Sequence, residues 1–121
     1  MFKNLAACAI AGFLSISPPL SQAQVTPPLK VGFVHVAPVT EAGWVRQHED
    51  GRKAMEAALG ALVQTTAVEN VPEGPDAERV IRDLAQQGHK LIFTPSFGYM
   101  EPTLRVARDF PDVKFESING Y

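Results

Sequence analysis

Cysteine is almost absent from this chain. The single one, Cys8, lies in a stretch that reads as a leader. Lys3 is followed by the apolar run "LAACAIAGFLSIS" and then by "PPLSQA", which ends in small residues at Ser21 and Ala23. That is the charged, apolar and cleavage-site order of a secretory signal peptide over residues 1–23, cut after Ala23. The apolar run is shorter than the roughly 20 residues a membrane span needs, so no membrane insertion is expected. "LAAC" resembles a lipoprotein box but precedes the hydrophobic segment instead of closing it, so Cys8 belongs to the leader and a lipoprotein is not expected. The 98 residues that follow Ala23 then hold no cysteine. They can make no disulfide and offer no thiolate nucleophile or Cys-based metal site.

Other absences narrow the field. Once Lys3 is removed, 10 basic residues stand against 13 acidic ones, with no basic cluster to neutralise a phosphate backbone. Nucleic acid is therefore not an expected partner. There is no G-x-G-x-x-G and no G-K-[ST], so no phosphate-cradling loop. His48, Glu49 and Asp50 lack an i, i+4 histidine pair and read as a solvated helix face, so neither a metal nor a cofactor is expected. Aspartates do not end the first and third apolar runs, as a phospho-acceptor domain would require.

With 45% hydrophobic and 20% charged residues, the chain has the composition of an ordinary globular domain. After the Pro-containing lead-in "QVTPPL" (24–29), short β-rich runs alternate with helical ones. The predicted strands are "KVGFVHV" (30–36), "VQTTAVENV" (63–71), "HKLIFTP" (89–95) and "VKFESINGY" (113–121). Helices are predicted over 44–60, with Trp44, His48, Met55, Leu59 and Leu62 at helical spacing, and over 72–88, burying Val80, Ile81 and Leu84. A third is predicted over 98–111, with Met100, Leu104, Ala107 and Phe110 on one face. The order βαβαβαβ defines an α/β protein with a doubly wound parallel sheet. The chain stops just past a strand, where a crossover helix is due, so residues 30–121 read as an incomplete lobe.

Parallel sheets bind ligands beyond the carboxyl ends of their strands. The segments there supply aromatic faces (Trp44, Phe97), polar groups (Glu41, Glu69, Asn70, Ser96, Asn119) and glycines that let backbone approach closely (Gly43, Gly98, Gly120). Trp44 serves equally well, on spacing alone, as a core anchor. "TPSFG" (94–98) comes close to the G-x-S-x-G elbow of a serine hydrolase, but Thr94 replaces the first glycine and no histidine follows Ser96. A secreted hydrolase using Ser96 and a non-functional remnant of a disrupted gene are the alternative readings.

The segments "AGWVRQHEDGRKAME", "ENVPEG", "DAERVIR", "KLIF" and "SFGYM" in combination resemble the N-terminal lobe of the basic membrane protein family, the solute-binding proteins of purine nucleoside or nucleobase ABC transporters. The likeness covers essentially all of residues 30–121. It implies a non-enzymatic periplasmic protein with the type I periplasmic binding protein architecture, of which this chain would be a partial first lobe. It also implies a small purine-type ligand and an ABC permease as partner of the full-length form. Trp44 would stack on the purine ring, the Ser96-Phe97-Gly98 turn would line the same cleft, and Asn70 and Glu41 would add polar contacts.

Overall fold

The computed structural model describes residues 26–40 and 42–120; the expected leader (1–23) and Glu41 lie outside the described residues. Strand β1 (Leu29–Val34) is followed by helix α1 (Trp44–Leu59), a 3-10 turn (Gly60–Leu62) and strand β2 (Val63–Val68). Helix α2 (Pro75–Gln86), strand β3 (Leu91–Phe93), a 3-10 turn (Phe97–Tyr99), helix α3 (Met100–Asp109) and strand β4 (Lys114–Glu116) complete the order. The four strands form one parallel sheet in the order β2-β1-β3-β4. Helix α1 contacts β2, whereas α2 and α3 contact each other and the remaining strands. The expected doubly wound sheet is therefore what these residues build. Among the described residues no helix is long and apolar enough to cross a membrane.

The core is sorted by the alternation of side chains along β1. Gly32 lies against Leu84 of α2 and Ile92 of β3, and Val34 joins Ile81, Leu84, Ala85, Ile92, Tyr99 and Val106 in the buried cluster. Phe33 and His35 turn the other way; Phe33 stacks on Phe93 with ring centroids 4.8 Å apart. Helix α2 begins at Pro75, whose fixed φ and missing N–H suit a first turn, and carries Asp76 and Glu78 there, where acidic groups complement the helix dipole.

Two helical faces differ from expectation. In α1 the buried residue is Glu49, while Trp44 and Leu59, and Leu62 just beyond, are exposed. In α3 the buried side chains are Pro102, Thr103 and Val106, whereas Leu104 is exposed. Met100, Leu104 and Ala107 instead line an open groove of about 390 Å³ against Val113 and Phe115 on the β4 side. Apolar spacing marks a helical stripe but does not fix which stripe is buried: α1 buries Glu49, and α3 buries Pro102, Thr103 and Val106 beside its stripe.

Candidate ligand-binding face at the strand carboxyl ends

Backbone pairing continues past the strands and ties the first two strand-end loops together. The His35 amide donates to the Val68 carbonyl (2.8 Å) and the Val71 amide to the His35 carbonyl (3.0 Å). The Thr94 amide likewise donates to the Glu116 carbonyl (2.9 Å). Between Val68 and Val71 the chain reverses at Asn70, which adopts φ 56°, a left-handed conformation that asparagine tolerates better than most residues. Asn70 is exposed there.

Side chains of the β2–α2 loop then reach to both neighbours. Glu69 Oε2 accepts a hydrogen bond from the Val39 amide of the first loop (2.9 Å). Glu73 Oε1 accepts two from the third: the Ser96 hydroxyl (2.6 Å) and the Gly98 amide (2.9 Å). These two donors hold the Glu73 carboxyl below its ordinary range, the Ser96 bond contributing most. Gly98 is required by closeness, because a Cβ at this position would overlap the Glu73 carboxylate. From beneath, the Tyr99 hydroxyl, fully buried, donates to the Val71 carbonyl (2.6 Å). Burial, and secondarily the Glu73 charge, push its pKa well above the ordinary tyrosine value, so it remains a neutral donor.

Trp44 opens α1 immediately after Gly43, whose φ of 99° needs a residue without a Cβ. Its side chain is not a core anchor: the residue is 49% exposed. The indole N–H donates to the Pro95 carbonyl (2.5 Å), and the ring meets His48 edge-on at 4.7 Å. Burial, followed by the proximity of His35, lowers the His48 pKa and favours a neutral imidazole beside Trp44. Two residues from Pro95, Phe97 is 62% exposed. Trp44 and Phe97 therefore approach the same short segment from different elements, each presenting aromatic surface to solvent.

Of the residues expected at the site, Trp44, Ser96, Phe97 and Gly98 are brought together through Pro95 and Glu73. Asn70 lies on the same β2–α2 loop as Glu73, and Glu41 is outside the described residues. The Ser96 and Gly98 donors already meet a carboxylate of this chain. Glu73 and Tyr99 are the residues that sequence reasoning missed; the available signal was an S-x-G turn offering two donors, with a glutamate in the neighbouring strand-end loop.

Ser96 has no histidine beside it; its hydroxyl is committed to a carboxylate whose lowered pKa makes it a poor base. His35 Nε2 is 3.5 Å from Glu49 Oε2 beneath α1. The His89 ring lies within hydrogen-bonding distance of the Leu84 carbonyl (2.8 Å) and the Thr66 hydroxyl (3.0 Å). Glu49 is thus buried in an ion-pair network and not on a solvated face. Among the described residues no His/Cys/Asp/Glu group is arranged to hold a metal.

A further concavity, about 550 Å³, lies at the opposite end of the sheet between residues 26–30, Leu62, Gly88 and Lys90. It lacks the aromatic and convergent polar groups of the carboxyl-end face, which is also where a parallel sheet directs ligands.

A parallel sheet in this order, flanked by helices, is the fold of a partial lobe of the solute-binding class. A solute-binding protein of an ABC transporter system from Conexibacter woesei has this fold, with a TM-score of 0.66 and 25% identity over 72% of this chain and 28% of its own. Residues 29–121 match the Bmp family, described as ABC transporter substrate-binding protein PnrA-like, and the chain belongs to that family. It is 57% identical over 93 residues to a purine-binding protein of Brucella abortus, covering 77% of this chain and 27% of that protein. It is 33% identical over 93 residues to a Haloferax volcanii protein named for ABC-transporter glucose binding, covering 77% of this chain and 23% of that one. The chain thus spans about a quarter of the length of these relatives.

Proposed function

We propose that this chain is the purine-recognising part of a periplasmic solute-binding protein that delivers a nucleobase or nucleoside to an ABC permease, without bond making and without a cofactor. The observation that carries the reading is Trp44: a half-exposed indole whose N–H is tied to the Pro95 carbonyl, so that its ring is held in place beside the third strand-end loop. A flat heteroaromatic ring stacks on such a surface with about 1–3 kcal/mol per base. Phe97 offers a second ring, and Asn70 and Glu41 supply polar groups for the edges of the base. The 57% identity to a purine-binding protein supports a purine over the sugar of the more distant relative.

The rings are largely open to solvent, whereas a deep pocket encloses roughly 70–90% of a ligand's surface. About half of a micromolar binding energy is therefore the expectation for this chain, a dissociation constant of about 1 mM or weaker. Trp44 is the single tryptophan of the sequence and reports on its own site. Titration with adenosine, adenine and glucose, followed by Trp44 fluorescence and by the NMR signal of its indole N–H, tests the reading. Saturable changes with the purines, abolished in Phe97→Ala or weakened about tenfold by loss of one stack, are expected. Saturation by glucose alone would replace the purine reading with a sugar-binding one.

A further inference from the structure

Charge is distributed unevenly over the strand-end face. The four loops there, residues 35–43, 69–74, 94–99 and 117–120, contain no lysine or arginine but contain Glu41, Glu69 and Glu73. In the turn that leads into α3, the Ser96 hydroxyl and the Gly98 amide converge on a single point. Convergent donors of this kind at the start of a helix suit an anion. That point is filled by an oxygen of Glu73, and no side chain larger than glycine would fit at 98 while it stays there. The loop thus satisfies its own anion-seeking donors with a fixed negative charge beside the two exposed aromatic residues.

We propose that Glu73 is a specificity-determining residue: its carboxylate, seated on the Ser96 hydroxyl and the Gly98 amide, closes that donor pair to phosphate and sets the face against phosphorylated ligands, so that uncharged bases and nucleosides are accepted and nucleotides refused. The inference rests on the purine reading for the identity of the ligand. The exclusion of anions stands on the Glu73 geometry. A phosphate brought near Glu73 meets repulsion between like charges with no cation in these loops to offset it, which at an exposed site corresponds to roughly tenfold discrimination or more.

The test has two arms at constant ionic strength. In the first, inorganic phosphate is titrated while the Gly98 amide is followed by NMR in the unaltered chain, in Glu73→Ala and in Glu73→Gln. The unaltered chain should show no saturable shift. Glu73→Ala, which releases both donors, should show one, and Glu73→Gln, which keeps an uncharged acceptor in place, should show little. Equal responses in the unaltered chain and Glu73→Ala would overturn the proposal. In the second arm, adenosine and AMP are compared through Trp44. Adenosine should bind the unaltered chain about tenfold tighter than AMP, and Glu73→Gln should reduce that ratio at least about threefold, mainly by improving AMP. AMP binding as well as adenosine to the unaltered chain would defeat the proposal while leaving the purine reading intact. Absence of both adenosine and AMP binding would defeat the purine reading, and the phosphate arm would still decide whether Glu73 excludes anions. Should Glu73→Ala loosen the loop, Glu73→Gln, which preserves the tie to Ser96 and Gly98, carries the decision through its AMP ratio.

Discussion

The two faces of the sheet are built from different materials. On the side of α2 and α3, Val34 and Ile92 meet Ile81, Leu84 and Val106 in a continuous apolar cluster, and charged groups are kept to the rim, where Arg82 reaches Asp109 and Arg105 reaches Glu78. On the side of α1 the strands supply an apolar layer, with Phe33 stacked on Phe93, but the residue that the helix buries is charged. Arg52 donates to both oxygens of Glu49, from Nη2 to Oε1 (2.6 Å) and from Nε to Oε2 (2.8 Å), and Glu49 Oε2 stands 3.5 Å from buried His35. Arg52 also reaches the Thr65 hydroxyl of β2 (2.6 Å), and Thr65 is hydrogen-bonded to Glu56. The apolar face needs only close packing, whereas the polar face depends on every partner being present, because a buried charge left alone is costly. The element held by the polar face is the one that carries Trp44. The position of the half-exposed indole therefore depends in part on an ion-pair network.

The largest effect that separates the faces is expected from Ile81→Ala. Ile81 is fully buried at the centre of the apolar cluster, and truncation there should cost about 3–4 kcal/mol in urea unfolding, through lost transfer energy and the cavity left behind. The whole transition should move, since α2 and α3 share this cluster. Glu49→Ala should cost somewhat less, about 2–3 kcal/mol, by leaving Arg52 and His35 without their carboxylate partner. It should in addition broaden the Trp44 indole signal, which Ile81→Ala should leave in place under native conditions. Arg52, through its hydrogen bond, is the main cause of the lowered Glu49 pKa, with burial opposing it. A carboxyl whose folded pKa is depressed stabilises the fold above its ordinary value of 4.5 and loses that contribution as the pH falls through the lowered value. The loss of stability below about pH 4.5 should therefore be shallower in Glu49→Gln, as measured by urea midpoints from pH 6 to pH 3. An identical acid limb in both proteins would mean that Glu49 is not held by Arg52.

This contrast also explains what the sequence made legible. Helix α2 could be read in large part, because Pro75 and the acidic first turn mark its start and Ile81 and Leu84 are buried as expected, although Val80 is only partly buried and Ala77 and Ala85 are buried as well. The parallel sheet follows from alternating βαβ units, and the strand-end rule directed attention to Trp44, Ser96, Phe97 and Gly98. The buried face of α1 was not legible. Its apolar stripe through Trp44 and Leu59 is genuine, but the sheet side is taken by Glu49 and Arg52, and a buried ion pair has no periodicity of its own. Nor could the sequence show that Glu73 reaches Ser96 and Gly98, 23 and 25 residues away, since that contact exists only once β1 has paired with both β2 and β3 and set the second and third loops at the same end of the sheet. In β3 the predicted strand was longer than the observed Leu91–Phe93, because Thr94 to Ser96 already belong to the loop that forms the site.

A smaller effect should connect the two faces. Tyr99 lies in the apolar cluster but donates to the Val71 carbonyl of the loop bearing Glu73. Tyr99→Phe should cost about 1–2 kcal/mol, the price of a buried carbonyl losing its partner. It should also raise hydrogen exchange at the Gly98 amide, because the loop that positions Glu73 would lose its lower support. Unchanged exchange at Gly98 would show that Glu73 is held by Ser96 and Gly98 alone.

The smallest effect is expected where the sequence pattern is most suggestive of a core. Leu59 falls on the apolar stripe of α1, yet it is 43% exposed in the structure, and the residue that α1 buries is Glu49. Leu59→Gln keeps helix propensity nearly constant and removes only partly exposed apolar surface. It should change stability by no more than about 0.5 kcal/mol, the range of an ordinary surface substitution. The comparison with Glu49→Ala, ten residues earlier on the same helix, is then direct: the polar substitution at an apolar position is tolerated, and the apolar substitution at a polar position is not. A cost of about 2 kcal/mol or more for Leu59→Gln, with Glu49→Ala near neutral, would show that the stripe and not the ion pair holds α1 to the sheet in solution.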